Sequence, residues 1–458
     1  MPPLALRLRT ASPGLLALPW ARPLGDWPRE AADFRDLPVG PSRHLVRFVQ
    51  ADGTLYALKE LPIRVARKEY AVLRELEARA LPGVHAEGLA ELVEEDRATL
   101  ITEFLGHSWQ FRRLFQRMPP GLVKYRERLL DAMAILLVDL HRAGVFWGDC
   151  SLANTLFVRD GQTLQAFLVD AETSEVHPSL SDGQRGLDLG ILVENVAGDL
   201  VDLAARLGRS MDEMDEQFAA AESVAERYRT LWGELHREEV VGPEERYRIE
   251  ARVRRLNELG FAVDELALEP ADGAQVLRLK VAVANRRFHA AQLHALTGLD
   301  VGEGQATVLL SDLRAFQLDQ ERRRPGSAPD ALAGARWRQE VLQPGMERAC
   351  AALGEDTDPV QAYCDLLEVR WLLSEEAGRD VGDEVALAAL AARQAPPESA
   401  ARMVVVESPT GGFSAVPADA AAATPGAAGA EPGAGVTPDE LPDELPDEAR
   451  PGRGRART

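Results

Sequence analysis

The residues of this sequence best suited to chemistry are Asp149, Asn154 and Asp170. Asp149 and Asn154 lie on a predicted loop, and Asp170 follows two short apolar runs joined by Asp160-Gly161. Asp-Gly between apolar runs predicts a β-hairpin, so Asp170 should lie where that hairpin ends. Phosphoryl transfer requires such a set. One carboxylate orients the substrate hydroxyl, while an amide oxygen and a second carboxylate hold Mg²⁺ on the nucleotide phosphates.

This spacing resembles the kinase-like superfamily, in which D-x-x-x-x-N precedes a hairpin and a metal-binding Asp. Its bacterial branch of aminoglycoside and lipopolysaccharide (Kdo) kinases carries H-G-D-x-x-x-x-N and I-D-F-E, where this chain has W-G-D-x-x-x-x-N and V-D-A-E. Trp147 replaces the usual His, a change that concerns the packing of the loop. The resemblance implies that Asp149 is the catalytic base and that Asn154 and Asp170 bind Mg²⁺. Alone, the Asp and Asn would be interpreted as caps of a solvated loop.

An upstream strand and helix supply a second pair of charges. In the predicted strand Thr54–Leu61, Lys59 follows Ala-Leu and resembles the V-A-I-K strand of kinases, whose Lys contacts the phosphates. Glu69 lies on the apolar face of the predicted helix Ala66–Ala80 by its i, i+4 and i+7 spacing. Because an inward carboxylate needs a cation, we expect Lys59 and Glu69 to form the ion pair known from kinases.

The resemblance also implies nucleotide contacts. Leu100–Gly106 is a predicted buried strand that ends in Gly, and in the family this linker between lobes binds adenine through its backbone, here at Glu103 and Leu105. Kinases cover the phosphates with a G-x-G-x-x-G loop. This chain offers only Gly40, or the turn at Asp52-Gly53, for close approach to a phosphate. The expected cofactors are ATP and Mg²⁺.

Composition limits the classes of function. The 458 residues allow two to three domains. The net charge of −21 argues against a nucleic-acid-binding surface over the whole chain. The three cysteines form no C-x-x-C pair, which favours a reducing cytosol. No apolar stretch approaches the ~18 residues of a membrane span. We therefore expect a cytoplasmic protein without a membrane span or a nucleic-acid partner.

The predicted fold class is α+β: a two-lobed protein-kinase-like domain, a smaller α+β and helical domain, and a disordered tail. The predicted divisions are the N-lobe at 1–106, the C-lobe at 107–240, the C-terminal domain at 241–405 and the tail at 406–458. The tail is acidic and rich in Ala, Pro and Gly, and it has no apolar periodicity that could stabilise a core.

Two helices should flank the catalytic stretch. Leu122–Arg142 has core residues at helical spacing. After a loop predicted at Ser181–Gly186, a second helix should begin at Leu187. Asp188 matches the position at which kinase-like proteins bond an Asp to the backbone of the catalytic loop. An ordinary first-turn Asp, favoured by the helix dipole, is the alternative.

The second half carries fewer signals. Strands are predicted at Phe261–Glu269 and Val276–Ala284, followed by a helix at Arg286–Thr297. Arg286, Arg287 and His289 at this helix start could bind an anion, although basic clusters are more often solvated surface. This half resembles the C-terminal region of an uncharacterised bacterial family of kinase-like proteins. It could hold substrate or a protein partner, and the acidic tail could also dock a partner.

The leading functional prediction is ATP- and Mg²⁺-dependent phosphotransfer to a hydroxyl on an unidentified small molecule, sugar, lipid or protein. The alternative is a pseudokinase that binds nucleotide or a protein partner without transferring phosphate. The intact Lys, Asp, Asn and Asp set favours the enzyme, whereas Trp147 and the missing glycine loop favour the pseudokinase. A structural adaptor that acts through the second half is the third hypothesis.

Overall fold

The computed structural model describes most of the chain, namely residues 4–37, 43–111, 114, 123–206, 214–241, 245–270, 277–283, 286–323, 332–354 and 357–402. Gly40, a predicted phosphate contact, and the tail predicted at 406–458 lie outside the described residues. The predicted α+β class is confirmed: a β-sheet N-terminal lobe precedes a mainly helical C-terminal region. No described helix is long and apolar enough to cross a membrane.

Six antiparallel strands form the N-terminal sheet in the order β1-β5-β6-β4-β3-β2. They are β1 (Leu4–Leu8), β2 (Asp33–Arg35), β3 (Val46–Ala51), β4 (Thr54–Pro62), β5 (Ala86–Leu92) and β6 (Arg97–Glu103). A short helix, α1 (Pro13–Leu16), lies between β1 and β2, and α2 (Ile63–Ala78) follows β4 directly. The buried face of α2 includes Glu69, which is therefore directed at the sheet.

The middle of the chain builds a small sheet on three long helices. Strands β7 (Ser108–Gln110), β9 (Thr155–Asp160) and β10 (Thr163–Leu168) pair in the order β10-β9-β7, and β8 (Val145–Phe146) pairs with β11 (Glu175–Val176). The helices are α3 (Val123–Arg142), α4 (Asp182–Arg206) and α5 (Met214–His236). The apolar face of α3 lies in one core with α2 and the β9–β10 hairpin, so α3 packs against the hairpin.

The loop predicted at Ser181–Gly186 is wrong, because α4 already begins at Asp182. Ser181 and Gln184 form a reciprocal cap. The Ser181 N–H donates to Gln184 Oε1 at 3.0 Å, and the Gln184 N–H donates to Ser181 Oγ at 3.3 Å. Such a capping box satisfies two backbone donors and starts a helix in spite of the two glycines in its first turns.

The C-terminal region begins with a three-stranded sheet, in the order β12-β14-β13, and continues in helices. Its elements are β12 (Glu239–Val241), α6 (Arg246–Glu258), β13 (Val263–Pro270), β14 (Leu277–Val283), α7 (Phe288–Thr297), α8 (Glu303–Arg323), α9 (Ala333–Trp337), α10 (Gln343–Leu353), α11 (Pro359–Ala377) and α12 (Asp383–Ala391).

The sequence also predicts one continuous helix over Leu332–Leu353. This prediction is wrong, because a π-helical turn at Arg338–Leu342 interrupts the helix. Pro344 explains the break, because it has no N–H to donate to the preceding turn and starts α10 instead. The four domain divisions remain predictions. The one after residue 240 falls inside β12, which pairs with β14.

Candidate active site

Lys59 is the centre of a partly buried cluster of charges, in which only Glu69 is fully buried. It lies on β4 in the middle of the N-terminal sheet, paired in register with Val46 and Leu100. Its Nζ is 3.1 Å from Glu69 Oε2 and 2.7 Å from Asp170 Oδ2. The expected ion pair between Lys59 and Glu69 is therefore present, and Asp170 at the end of the hairpin is its third member.

The electrostatics of this cluster follow from two carboxylates that share one ammonium. Burial raises the pKa of Glu69 to about 7, against the opposing attraction of Lys59. Burial alone would lower the pKa of Lys59, but Glu69 and Asp170 outweigh it and raise that pKa. When Glu69 is ionised, the single ammonium lies between two carboxylates, and the resulting excess of negative charge favours a further cation beside Asp170.

Both carboxylate oxygens of Asp149 accept hydrogen bonds from side-chain amide groups. Asn154 Nδ2 donates to Asp149 Oδ2 at 2.8 Å and to the Asp149 carbonyl at 3.2 Å. Asn195 Nδ2, on α4, donates to Asp149 Oδ1 at 3.0 Å. The sequence reasoning did not identify Asn195, although its position two helical turns after Asp188 on the same helix face was an available signal.

The loop and the hairpin bring the two predicted Mg²⁺ ligands together. The Val169 N–H donates to the Asn154 carbonyl at 3.2 Å, so Asp170 directly follows a residue bonded to Asn154. Because Asn154 donates from Nδ2 to Asp149, the Oδ1 atom of Asn154 is the one suited to bind a cation. The described residues contain no group of three or more His, Cys, Asp or Glu arranged as a metal site. One carboxylate and one amide suit Mg²⁺, which keeps waters and phosphate oxygens as its other ligands.

Asp188 holds the backbone of the loop that carries Asp149. It accepts hydrogen bonds from the N–H groups of Trp147 at 2.7 Å and Gly148 at 2.8 Å, and from His141 Nε2 at 3.0 Å. The other ring nitrogen of His141 lies 2.7 Å from the Tyr228 hydroxyl, and burial lowers the pKa of His141. The loop contact expected for Asp188 is confirmed. The first-turn alternative is wrong, because α4 begins at Asp182.

Trp147, which replaces the His of related motifs, is fully buried. Its carbonyl accepts hydrogen bonds from the hydroxyls of Thr173 and Ser174, each at 3.0 Å. Within the described part of the chain, its indole Nε1 has no hydrogen-bond partner. The loop is therefore well packed around the indole, at the cost of one buried donor.

The predicted adenine contacts lie at the end of β6. Glu103 is the last residue of that strand, and its N–H donates to the His85 carbonyl at 2.9 Å. The Leu105 carbonyl accepts a hydrogen bond from the Ser108 hydroxyl at 2.7 Å.

Of the two phosphate-loop candidates, the turn at Asp52 already binds another part of the protein. The Asp52 carboxylate accepts the Gly14 N–H at 2.8 Å, beside the start of α1.

The start of α7, where the basic cluster could have bound an anion, is occupied by a carboxylate of the protein itself. Glu303 accepts the N–H groups of His289 at 2.9 Å and Ala290 at 3.0 Å, and it lies 2.7 Å from His289 Nδ1. The helix N-terminus that would have attracted a ligand is thus already capped by a carboxylate.

Two segments of the chain match protein-family models. Residues 53–196 match the lipopolysaccharide kinase (Kdo/WaaP) family, and residues 230–394 match a domain of unknown function, DUF4032. These matches confirm both resemblances seen in the sequence. The first segment contains Lys59, Glu69, Asp149, Asn154 and Asp170, and its family supports a kinase-like phosphotransferase.

The other comparisons add little. No curated protein gives a significant match to the chain. A solved structure titled "WaaP in complex with acyl carrier protein" is 18% identical, and the alignment covers 44% of this chain and 89% of that chain. Its TM-score of 0.29 is too low to carry an argument.

Proposed function

We propose that this chain transfers a phosphoryl group from Mg²⁺-bound ATP to a hydroxyl group. The observation that carries the proposal is a backbone link between two polar groups: Val169, next to Asp170 of the Lys59–Glu69–Asp170 cluster, donates its N–H at 3.2 Å to the carbonyl of Asn154, whose side chain is bonded to Asp149. Both groups lie within the segment that matches a kinase family. The acceptor class, the cytoplasmic location and the roles below are parts of the proposal.

Lys59 would contact the nucleotide phosphates as a point charge, and Glu69 would orient it. Asn154 and Asp170 would hold Mg²⁺, which neutralises negative charge on the phosphates when it is bound. Lys59 contacts Asp170 at 2.7 Å, so the groups proposed to bind the phosphates and the metal ion are adjacent. Backbone groups of Glu103 and Leu105, where the N-terminal sheet ends, would bind adenine.

Asp149 would orient the acceptor hydroxyl and receive its proton. Its two amide donors, Asn154 and Asn195, fix the plane of the carboxylate. Each carboxylate oxygen has a second lone pair, so both bonds can persist while the hydroxyl donates to Asp149. The protein would thus contribute position and charge, and no covalent intermediate.

Asp149→Asn and Asp170→Asn test the proposal as a pair. Asp149→Asn keeps the shape of the side chain but removes the proton acceptor. Turnover should therefore fall by about 10²–10⁴, the usual range for a general base, and Mg²⁺–nucleotide affinity should change little. Asp170→Asn should weaken Mg²⁺-dependent nucleotide binding itself. Asp202→Asn, at an exposed position of α4, is the matched control and should leave both quantities unchanged.

The measurements are nucleotide affinity by calorimetry with and without Mg²⁺, and ATP turnover against a panel of hydroxyl compounds. Equal turnover in the native chain and Asp149→Asn, with binding that still responds to Asp170→Asn, would indicate a nucleotide-binding pseudokinase. Absence of Mg²⁺–nucleotide binding at millimolar ligand would refute both the enzyme and that alternative.

A further inference from the structure

The turn of the β9–β10 hairpin is buried in the C-terminal region. Arg159 donates two hydrogen bonds to Asp365 of α11, at 2.7 and 2.5 Å, and both side chains are almost fully buried. Gln361, one turn earlier on α11, accepts the Gly161 N–H and donates to the Gly161 carbonyl, both at 2.9 Å. These contacts, together with those that Asp160 makes with Gly304 and Gln305 of α8, are called the hairpin clasp.

Asp160 extends the clasp to a second helix. Its carboxylate accepts the N–H groups of Gly304 and Gln305, each at 2.8 Å, and so caps the N-terminus of α8. A residue of the kinase-like segment thereby supplies the cap of a helix in the C-terminal region. The capped N–H groups are orphan donors of the first turn, which need an acceptor when they are buried.

The backbones approach too closely at the clasp for any side chain to intervene. A Cβ atom on Gly304 would lie 2.1 Å from the Asp160 carbonyl oxygen. A Cβ atom on Gly161, whose φ is +63°, would lie 2.7 Å from the Gly304 carbonyl oxygen. The relative position of the hairpin turn and α8 is therefore tightly specified.

The opposite end of the same hairpin carries the proposed metal ligands. The strands pair without a register shift from Thr163 opposite Asp160 to Leu168 opposite Thr155. Asn154 immediately precedes the first strand and Asp170 lies two residues beyond the second. At about 3.3 Å per residue, the clasp lies roughly 17 Å from Asn154 along the strand.

We propose that the C-terminal region positions Asn154 and Asp170 through the hairpin clasp, and that Arg159, Asp160 and Gln361 are positioning residues for Mg²⁺-dependent phosphotransfer. The inference rests on the proposed function. A buried ion pair contributes little net stability compared with apolar residues of the same size, but it demands one geometry. The Arg159–Asp365 pair, together with the two glycines, therefore sets where the hairpin lies rather than merely attaching it.

Gly304→Ala in the full chain tests this inference. Ala is the better helix former in α8, so any loss must come from the contacts of the new Cβ with the hairpin turn, at the Asp160 carbonyl and the Thr163 hydroxyl. The Mg²⁺ concentration that half-saturates ADP binding should rise about tenfold or more, as for the loss of groups that orient metal ligands. Backbone hydrogen exchange of residues 154–156 and 168–170 should become faster.

Gly233→Ala is the matched control, because it lies on α5 with no atom within 4 Å of the new Cβ, and it should behave like the native chain. Gln361→Leu is a second test, which removes both bonds to Gly161 together with the Gln361 bonds to Asp365 and Gln305, and it decides the matter if Gly304→Ala fails to fold. It should show the same rise in Mg²⁺ half-saturation and the same faster exchange.

The inference would be overturned if the variants fold, their faster hydrogen exchange is confined to residues 159–163, and the Mg²⁺ concentration for half-saturation stays within twofold of the native value. A native chain that binds no Mg²⁺–ADP would overturn the proposed function instead. In that case hydrogen exchange at 154–156 and 168–170 alone decides whether the clasp orders the far end of the hairpin.

Discussion

Glu69→Gln should remove a pH dependence of stability that is built into the charge cluster. The pKa of Glu69 is raised from 4.5 to about 7 by burial. Between these values the native protein retains a proton that the unfolded chain releases, so the free energy of unfolding falls as pH rises through this window. At 1.36 kcal/mol per pKa unit, the loss amounts to about 3 kcal/mol. The side chain is only 1% exposed, so solvent screening does not reduce this figure.

Urea unfolding of the native chain and Glu69→Gln at several pH values between 4.5 and 8 measures this effect. Near pH 4.5 the protonated Glu resembles Gln, and the two proteins should be about equally stable. Above pH 7 the variant should have gained about 3 kcal/mol relative to the native chain. Taking the difference between the two curves removes the contributions of other titrating groups, provided that they are the same in both proteins.

Glu75→Gln is the control, because Glu75 is an exposed carboxylate on the same helix. Its stability curve should remain parallel to that of the native chain. If the curve of Glu69→Gln also remained parallel, or fell below the native curve at high pH, Glu69 would be ionised throughout. Lys59 would then outweigh burial, and the raised pKa of Glu69 would be refuted.

Asp188→Ala should destabilise the protein by about 3–5 kcal/mol in urea unfolding, because three hydrogen-bond donors, His141 and the N–H groups of Trp147 and Gly148, lose their acceptor. Asn195→Ala should lower turnover about tenfold, the equivalent of one hydrogen bond that orients Asp149, while calorimetry shows unchanged nucleotide affinity. A chain that ends at residue 240 should lack a cooperative thermal transition, whereas one that ends at residue 402 should keep it.

Local patterns in the sequence were sufficient to place much of the site. The Ala-Leu-Lys strand and the apolar spacing of the next helix place Lys59 opposite Glu69, because the period of each element decides which side chains face inward. Asp-Gly between two apolar runs predicts the hairpin and hence the position of Asp170. The roles of these residues stay predictions, since geometry alone does not measure turnover.

The features that sequence reasoning missed depend on contacts between distant segments. β1 is an edge strand that pairs Leu4 with Leu92, and no periodicity in five residues reveals such a partner. Arg159 and Asp365 are 206 residues apart, so each resembles an ordinary surface charge in the sequence. Asn195 is recognisable only once Asp188 is known to be buried against the catalytic loop.

The two family matches divide the chain between residues 196 and 230, but the apolar core and the ion pairs of the structure continue across this division. Phe261 and Leu256, from the DUF4032 segment, are fully buried in the same apolar core as Leu129 of α3. The Arg159–Asp365 pair likewise takes one charge from each segment. Removing either partner would leave a buried charge uncompensated, at a cost of about 3–5 kcal/mol, and truncating a buried Phe or Leu costs a similar amount.

These costs are comparable with the 5–15 kcal/mol that typically stabilises a whole domain. The kinase-like segment and the C-terminal region are therefore interdependent for stability as well as connected in sequence. The hairpin that carries the proposed metal ligands is held by another region, so the kinase-like segment cannot be treated as an independent module. Any ligand or partner that shifted α8 or α11 would act on Asn154 and Asp170 through the hairpin clasp. The reason is that the backbones of the hairpin turn and of α8 lie too close together at the clasp to move independently.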